Sequence, residues 1–244
     1  LSFQITFNAA RHAYEIDGVS VPSVTQILGV IDKSGPMAWW GQGIGVKGVC
    51  ELRRRLGDEM PWDDPDGIVK LLTPHKLTTN HVGREARTRG TSIHQALADY
   101  MQGKPLDAGD FPEEDRFYVV AAARSLIELR PEPLEFEQVV GSLQYGYAGT
   151  FDLLADVDGV TTRIDYKTGK RLYPEVQLQL AAYEWAAVES GHPASERQLA
   201  VCLKPDGGFE AAECRASLDD FLMIKNAWHT VRRISTIDGW AKAA

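Results

Sequence analysis

Three stretches between residues 134 and 166 carry the strand pattern most plainly: Leu134–Val140, Tyr147–Val157 and Thr161–Tyr166 are short, rich in β-branched and aromatic residues, and bounded by turn formers. The dipeptide Asp158-Gly159 separates the last two and predicts a hairpin turn. Gln198–Leu203 predicts a further strand, and Phe209–Ala212 an edge strand. The period lengthens to that of a helix in GREARTRGTSIHQALADYMQG (from about Val82), in EEDRFYVVAAARSLIELR, near Pro174–Ser190 and over Leu218–Ile234. Helix, strands, helix, strand is the order of an α/β protein.

The first eighty residues are patterned differently. FQITFNAARHAYEIDGVSVPSVTQIL predicts two short alternating strands joined by a turn, then a helix capped near Ser23. Pro36 to Leu56 has helical spacing interrupted by glycines at 41, 43, 45 and 48, which predicts a bent or mobile helix. PWDDPDGIVKLLTPHKL adds a short helix between proline-marked turns. No repeat or low-complexity tract is present. The organisation expected is an accessory region over residues 1–81 and a core over 82–244.

Composition narrows the class. At 44% hydrophobic and 25% charged over 244 residues, the chain has the make-up of an ordinary globular protein able to bury a full core. It has no run of about 18 apolar residues, and LSFQITFNAARH lacks the basic-then-apolar layout of a secretory signal, so a cytoplasmic protein without membrane association is expected. Cys50, Cys202 and Cys214 are too few and too scattered for a disulfide framework or a four-thiolate iron–sulfur centre, and are expected as buried, reduced thiols. The net charge of -8 argues against broad adhesion to polyanions but leaves room for a local basic groove.

The chemistry lies in GTFDLLADVDGVTTRIDYKTGK, residues 149–170, where Asp152, Asp165 and Lys167 interrupt apolar runs. Alternation puts Asp165 and Lys167 on one side of their strand, and the hairpin can bring Asp152 beside Asp165. Burying such charges unpaired costs several kcal/mol per ion. A divalent cation gathering the carboxylates relieves that cost, and oxygen ligands suit Mg²⁺ or Mn²⁺. Lys167 would then orient a water, help remove its proton, or neutralise a phosphate, a constellation suited to phosphodiester hydrolysis. An isolated DxK is, by contrast, ordinarily a surface ion pair at a strand end.

GTSIH (Gly90–His94), AGTFD (Ala148–Asp152), IDYKTGK (Ile164–Lys170) and QLAAY (Gln179–Tyr183) occur in the order and spacing that resemble the PD-(D/E)XK nuclease superfamily. The similarity is greater to its RecB-like exonuclease branch, which includes phage-encoded exonucleases and the mitochondrial genome maintenance exonuclease. The resemblance implies a restriction-endonuclease-like core, a central mixed β-sheet flanked by helices. It implies one or two Mg²⁺ or Mn²⁺ ions held by His94, Asp152 and Asp165 with the carbonyl of Tyr166, and Lys167 as the catalytic lysine. Gln179 and Tyr183, an i, i+4 pair on one helix face, match a motif supporting the active site or the DNA strand. Glu137, or Glu135 behind it, is a candidate for a second metal. The superfamily's leading proline is replaced by Thr150-Phe151.

Arg84, Arg87, Thr91 and His94 fall at helical offsets of one face and form a basic strip suited to phosphates, or equally a solvated helix face. Lys47 and Arg53 to Arg55 form another basic cluster. Trp39 and Trp40 beside it are ordinarily core residues, but aromatics among cations also stack the bases of a single strand, as in a mobile arch favouring free ends. The expected function is therefore a DNA exonuclease of phage or bacterial recombination, repair or replication, acting on DNA with free ends, with a recombinase or single-strand-binding protein as a partner. The alternatives are a non-catalytic DNA-binding module with a nuclease fold and a structure-specific endonuclease.

Overall fold

The computed structural model describes residues 3–236. They divide into two compact units, one formed by residues 3–31 together with 93–236, the other by residues 32–92.

In the first unit, β1 (Ile5–Asn8), β2 (Ala13–Ile16) and β3 (Val19–Val21) make an antiparallel meander in that order. The sequence pattern predicted two strands here. The third follows a tight turn at Asp17 and Gly18, both at positive φ, and is too short to show alternation. Helix α1 (Val24–Leu28) starts where its cap was expected: Ser23 Oγ accepts from the Gln26 amide, and Gln26 Oε1 accepts from the Ser23 amide.

The main sheet runs β4-β5-β6-β7-β8, formed by Glu132–Ser142, Tyr147–Val157, Val160–Thr168, Arg197–Leu203 and Phe209–Glu213. Neighbours are antiparallel except β6 and β7, which are parallel and joined through α6 (Glu175–Glu189), as a parallel pair requires. The β5–β6 turn is the expected Asp158-Gly159, both at positive φ. Helices α5 (Arg116–Leu129) and α7 (Leu218–Ser235) complete the unit with the later part of α4 (Thr79–Met101). Apolar side chains fill both faces of the sheet. Ile93, Leu97, Val119 and Ala122 meet Leu153, Ile164, Tyr166 and Val201 on one face. Ile27, Ala182, Ala186 and Phe221 meet Val140, Phe151 and Leu154 on the other. This is a mixed α/β architecture with a five-stranded mixed sheet flanked by helices, consistent with a restriction-endonuclease-like core.

The second unit contains α2 (Ser34–Leu56), α3 (Pro65–Leu72) and the start of α4. The glycines do not interrupt the helix: α2 is continuous over 23 residues. Two of its glycines are contact points instead. A Cβ on Gly48 would stand 2.9 Å from Leu72 Cδ2 and 3.2 Å from the Leu77 carbonyl, and one on Gly41 would stand 3.6 Å from Thr79. Close approach is what Gly48 needs, whereas the spacing at Gly41 is an ordinary van der Waals contact. Helix α3 is capped by Asp64, whose carboxylate accepts from the Gly67 amide at 2.9 Å. No helix among the described residues is long and apolar enough to cross a membrane.

Candidate active site

The site is built where two ladders of the main sheet open. Strand β5 pairs with β6 from Val157↔Val160 to Leu153↔Ile164 and no further, while β6 continues along β7 to Thr168. Beyond Ile164 the backbone of β6 therefore loses its β5 partner. Asp152 supplies the substitute: its Oδ2 accepts from the Tyr166 amide at 2.7 Å. The β4–β5 ladder skips one step at the same place, pairing Gln138 with Phe151 and Phe136 with Leu153, with Glu137 between them at φ 48°. Left-handed backbone at a non-glycine residue is uncommon and is held here by the surrounding sheet.

Into this opening α4 projects His94, whose Nδ1 stands 3.3 Å from Asp152 Oδ1. His94, Glu137 and Asp152 each present a ligand atom, all within 4.8 Å of one another. They line a pocket with room for about one water-sized occupant, about 10 Å³, whose wall is otherwise apolar, from Leu97 to Phe136. Asp165 stands outside that trio. Its carboxylate is sealed from solvent and lies 2.5 Å from Lys167 Nζ, while neither of its oxygens accepts a well-directed hydrogen bond. Of the residues expected to share one cation, the structure thus gathers His94 with Asp152, pairs Asp165 with Lys167 alongside, and brings in Glu137. Glu135 lies apart, 3.0 Å from His192 Nδ1.

Electrostatics follow from that crowding. Burial would lower His94, but the Asp152 carboxylate outweighs it and holds the imidazole up to about 9. Burial pushes Glu137 up to about 7, reinforced by the Asp152 charge. Asp165 is raised to about 6 by burial against the pull of Lys167. Asp152 is held below the usual carboxylate range because His94, Lys167 and the Tyr166 amide outweigh burial. Lys167 is raised despite its burial, since Asp165 and Asp152 favour the ammonium.

Around this group, Gln179 Nε2 donates to the Tyr183 hydroxyl at 3.0 Å, and both residues are buried on α6. The Tyr183 ring lies over Gly149, where any Cβ would collide with it, which is why glycine stands in AGTFD. Gln179 and Tyr183 are thus adjacent to the β5 segment that carries Asp152.

The donor set of one imidazole and two carboxylates, with Asp165 holding two further under-satisfied oxygens, suits a divalent cation of the Mg²⁺ or Mn²⁺ kind. The cysteines offer no competing site: all three are free, and of the buried thiols expected only Cys202 is buried, Cys214 being half-buried and Cys50 exposed.

In the second unit, Arg84 and Arg87 line a pocket of about 390 Å³ with Trp40, Met37, Thr79 and Asn80. Trp39 is 80% exposed and Trp40 37% exposed, so neither is the core residue that tryptophan ordinarily is. In the other basic cluster, Arg54 and Arg55 share one carboxylate, Glu51, each at 2.7 Å, and Arg53 lies over the Trp62 ring.

A five-stranded mixed sheet with a histidine, three carboxylates and a lysine at its opening has the make-up of a metal-dependent phosphodiesterase. Residues 116–235 match the family model of the PD-(D/E)XK nuclease superfamily, which supports placing this chain in that superfamily and points to a nuclease. The match takes in Glu137, Asp152, Asp165, Lys167, Gln179 and Tyr183, and begins after His94. Among solved structures, one titled "Crystal structure of SSO0001" aligns at 17% identity and a TM-score of 0.32, covering 49% of this chain and 58% of that one. The search of curated proteins gave no match.

Proposed function

We propose that this protein is a metal-dependent deoxyribonuclease, an exonuclease acting on DNA with free ends in phage or bacterial recombination, repair or replication. The observation that carries the reading is the convergence of His94, Glu137 and Asp152 on one ion-sized pocket beside the Asp165–Lys167 pair. His94 and Asp152 hold the cation, with Glu137 as a further ligand; Asp165 and the Tyr166 carbonyl belong to the same shell by family resemblance. A bound Mg²⁺ or Mn²⁺ supplies Lewis-acid charge at the scissile phosphate and an activated water. Lys167, kept as an ammonium by Asp165, donates to the phosphate or the attacking water and neutralises developing charge, a role better suited to its raised pKa than proton abstraction. Gln179 and Tyr183 brace the strand carrying Asp152.

The pocket of residues 32–92 supports a substrate with unpaired bases. Trp40 offers an indole for stacking, and Arg84 and Arg87, which have no carboxylate partner among the described residues, offer guanidiniums to phosphates. A recombinase or single-strand-binding protein is the expected partner in such a pathway, in the cytoplasm.

The experiment is digestion of linear and closed circular DNA with Mg²⁺ or Mn²⁺, by wild type and by Lys167→Ala. The expected outcome is loss of the linear substrate alone, and at least a hundredfold lower rate in Lys167→Ala with DNA binding retained. Digestion of circles would make the enzyme an endonuclease. No product from either substrate would leave a DNA-binding module with a nuclease fold.

A further inference from the structure

The gap in the β4–β5 ladder raises a mechanical question. Glu137 and Asp152 face one another between the pairs Phe136↔Leu153 and Gln138↔Phe151 without a pair of their own, so like charges sit together at a step the ladder fixes only through its neighbours. Bonds from outside the ladder add to what those flanking pairs and the Tyr166 amide fix. On one side of the gap β5 is fixed at Thr150, two residues before Asp152, and the group that fixes it comes from the N-terminal meander. Tyr14 of β2, 3% exposed, has its hydroxyl 3.0 Å from Thr150 Oγ1. The attachment extends along the chain: the Ala148 amide donates to the Pro22 carbonyl at 3.1 Å, and Ser23 bridges Ala148. The Tyr183 ring presses on Gly149 from α6. Burial and the Glu137 charge raise the Tyr14 phenol against its bond to Thr150, which puts the hydroxyl within electrostatic reach of the Glu137 carboxylate.

We propose that Tyr14 is a positioning residue of the metal centre, its hydroxyl anchoring β5 at Thr150 so that Asp152 and Glu137 keep the spacing one cation requires. This rests on the nuclease reading above but concerns a residue outside the motifs GTSIH, AGTFD, IDYKTGK and QLAAY. Partners that orient a ligand strand are worth about 10–100-fold in metal affinity. The alternative role for Tyr14 is packing alone, since its ring stacks on Phe7 with centroids 4.6 Å apart. Tyr14→Phe separates the two, because it keeps the ring and removes only the hydroxyl.

The test measures Mn²⁺ binding by the electron paramagnetic resonance of the free ion, with the melting temperature in EDTA and the kcat and KM on linear DNA. Tyr14→Phe is expected to weaken Mn²⁺ binding about tenfold and to lower kcat at subsaturating metal. KM and the metal-free melting temperature should stay close to wild type. Thr150→Val should reproduce the loss and Thr150→Ser restore binding, and the double variant Tyr14→Phe/Thr150→Val should be no worse than either single one. Unchanged Mn²⁺ affinity in Tyr14→Phe, or a loss that tracks a lowered melting temperature, overturns the inference while leaving the nuclease reading intact. A wild-type protein that binds Mn²⁺ but cleaves nothing overturns the nuclease reading while the Mn²⁺ affinities still decide the role of Tyr14. Wild type that binds no Mn²⁺ overturns both.

Discussion

Three titratable groups of the site are displaced in the same sense, so their effects on stability add. Glu137 moves from 4.5 to about 7, Asp165 from 3.8 to about 6 and His94 from 6.5 to about 9. Each raised group binds its proton more tightly in the folded chain than in the unfolded one. Its contribution is therefore fully present below the ordinary value and lost as pH rises through the folded one. Without metal, the protein should lose stability progressively from about pH 4 to pH 9, Asp165 and Glu137 first and His94 last. Asp152, displaced downward, acts oppositely and only under more acidic conditions. A divalent cation replaces the protons, so the melting temperature gained on adding Mn²⁺ should widen from pH 5 to pH 8. Differential scanning fluorimetry in EDTA and in Mn²⁺ measures this. A metal-free melting temperature that climbs across the range would contradict the charge arrangement.

At the scale of the elements, Gly149 shows how a helix and a strand fix the site together. An alanine there drives its methyl into the Tyr183 ring, and overpacking of this kind costs about 1–3 kcal/mol. Gly149→Ala should lose about that much in urea unfolding, and Gly149→Ala/Tyr183→Leu should recover part of it because the ring is gone. Additive losses would mean the two residues do not press on one another. Elements with strong periodicity were readable from the chain: β4 to β8, α5, α6 and α7 lie within a few residues of where the pattern put them, and Ser23 caps α1 as expected. What escaped was local geometry. A glycine gives the same sequence signal whether it bends a helix or admits a neighbour, so Gly41 and Gly48 were read as interruptions of α2. The skipped pair at Glu137 and Asp152 depends on register, which alternation does not report to a single residue. Hence the motif residues were identifiable, while the place of Glu137 in the trio and the role of Tyr14, 138 positions from Asp152 by residue number (152 − 14), were not.

For the whole molecule, the net charge of -8 sets an expectation about DNA that differs from that of a basic protein. The acidic total repels a polyanion at long range, and salt screens that repulsion over a Debye length of about 10 Å at 0.1 M. Attraction is local, and two guanidiniums in the Trp40 pocket, Arg84 and Arg87, are without an acidic partner among the described residues. Engaging both would release counterions with a slope of roughly −0.7 per phosphate for a single strand, about −1.4 in all. Stacking on Trp40 adds affinity of about 1–3 kcal/mol per base, with little salt dependence. Binding of a labelled oligothymidylate to Lys167→Ala, followed by fluorescence anisotropy at 50 to 300 mM salt, should therefore give a shallow slope. Arg84→Ala and Arg87→Ala in that background should each flatten it by about 0.7. Trp40→Ala should weaken binding at every salt concentration and leave the slope unchanged. A steep slope that neither arginine alters would place the strand elsewhere on the protein, and equal losses on blunt duplex would remove the preference for unpaired bases.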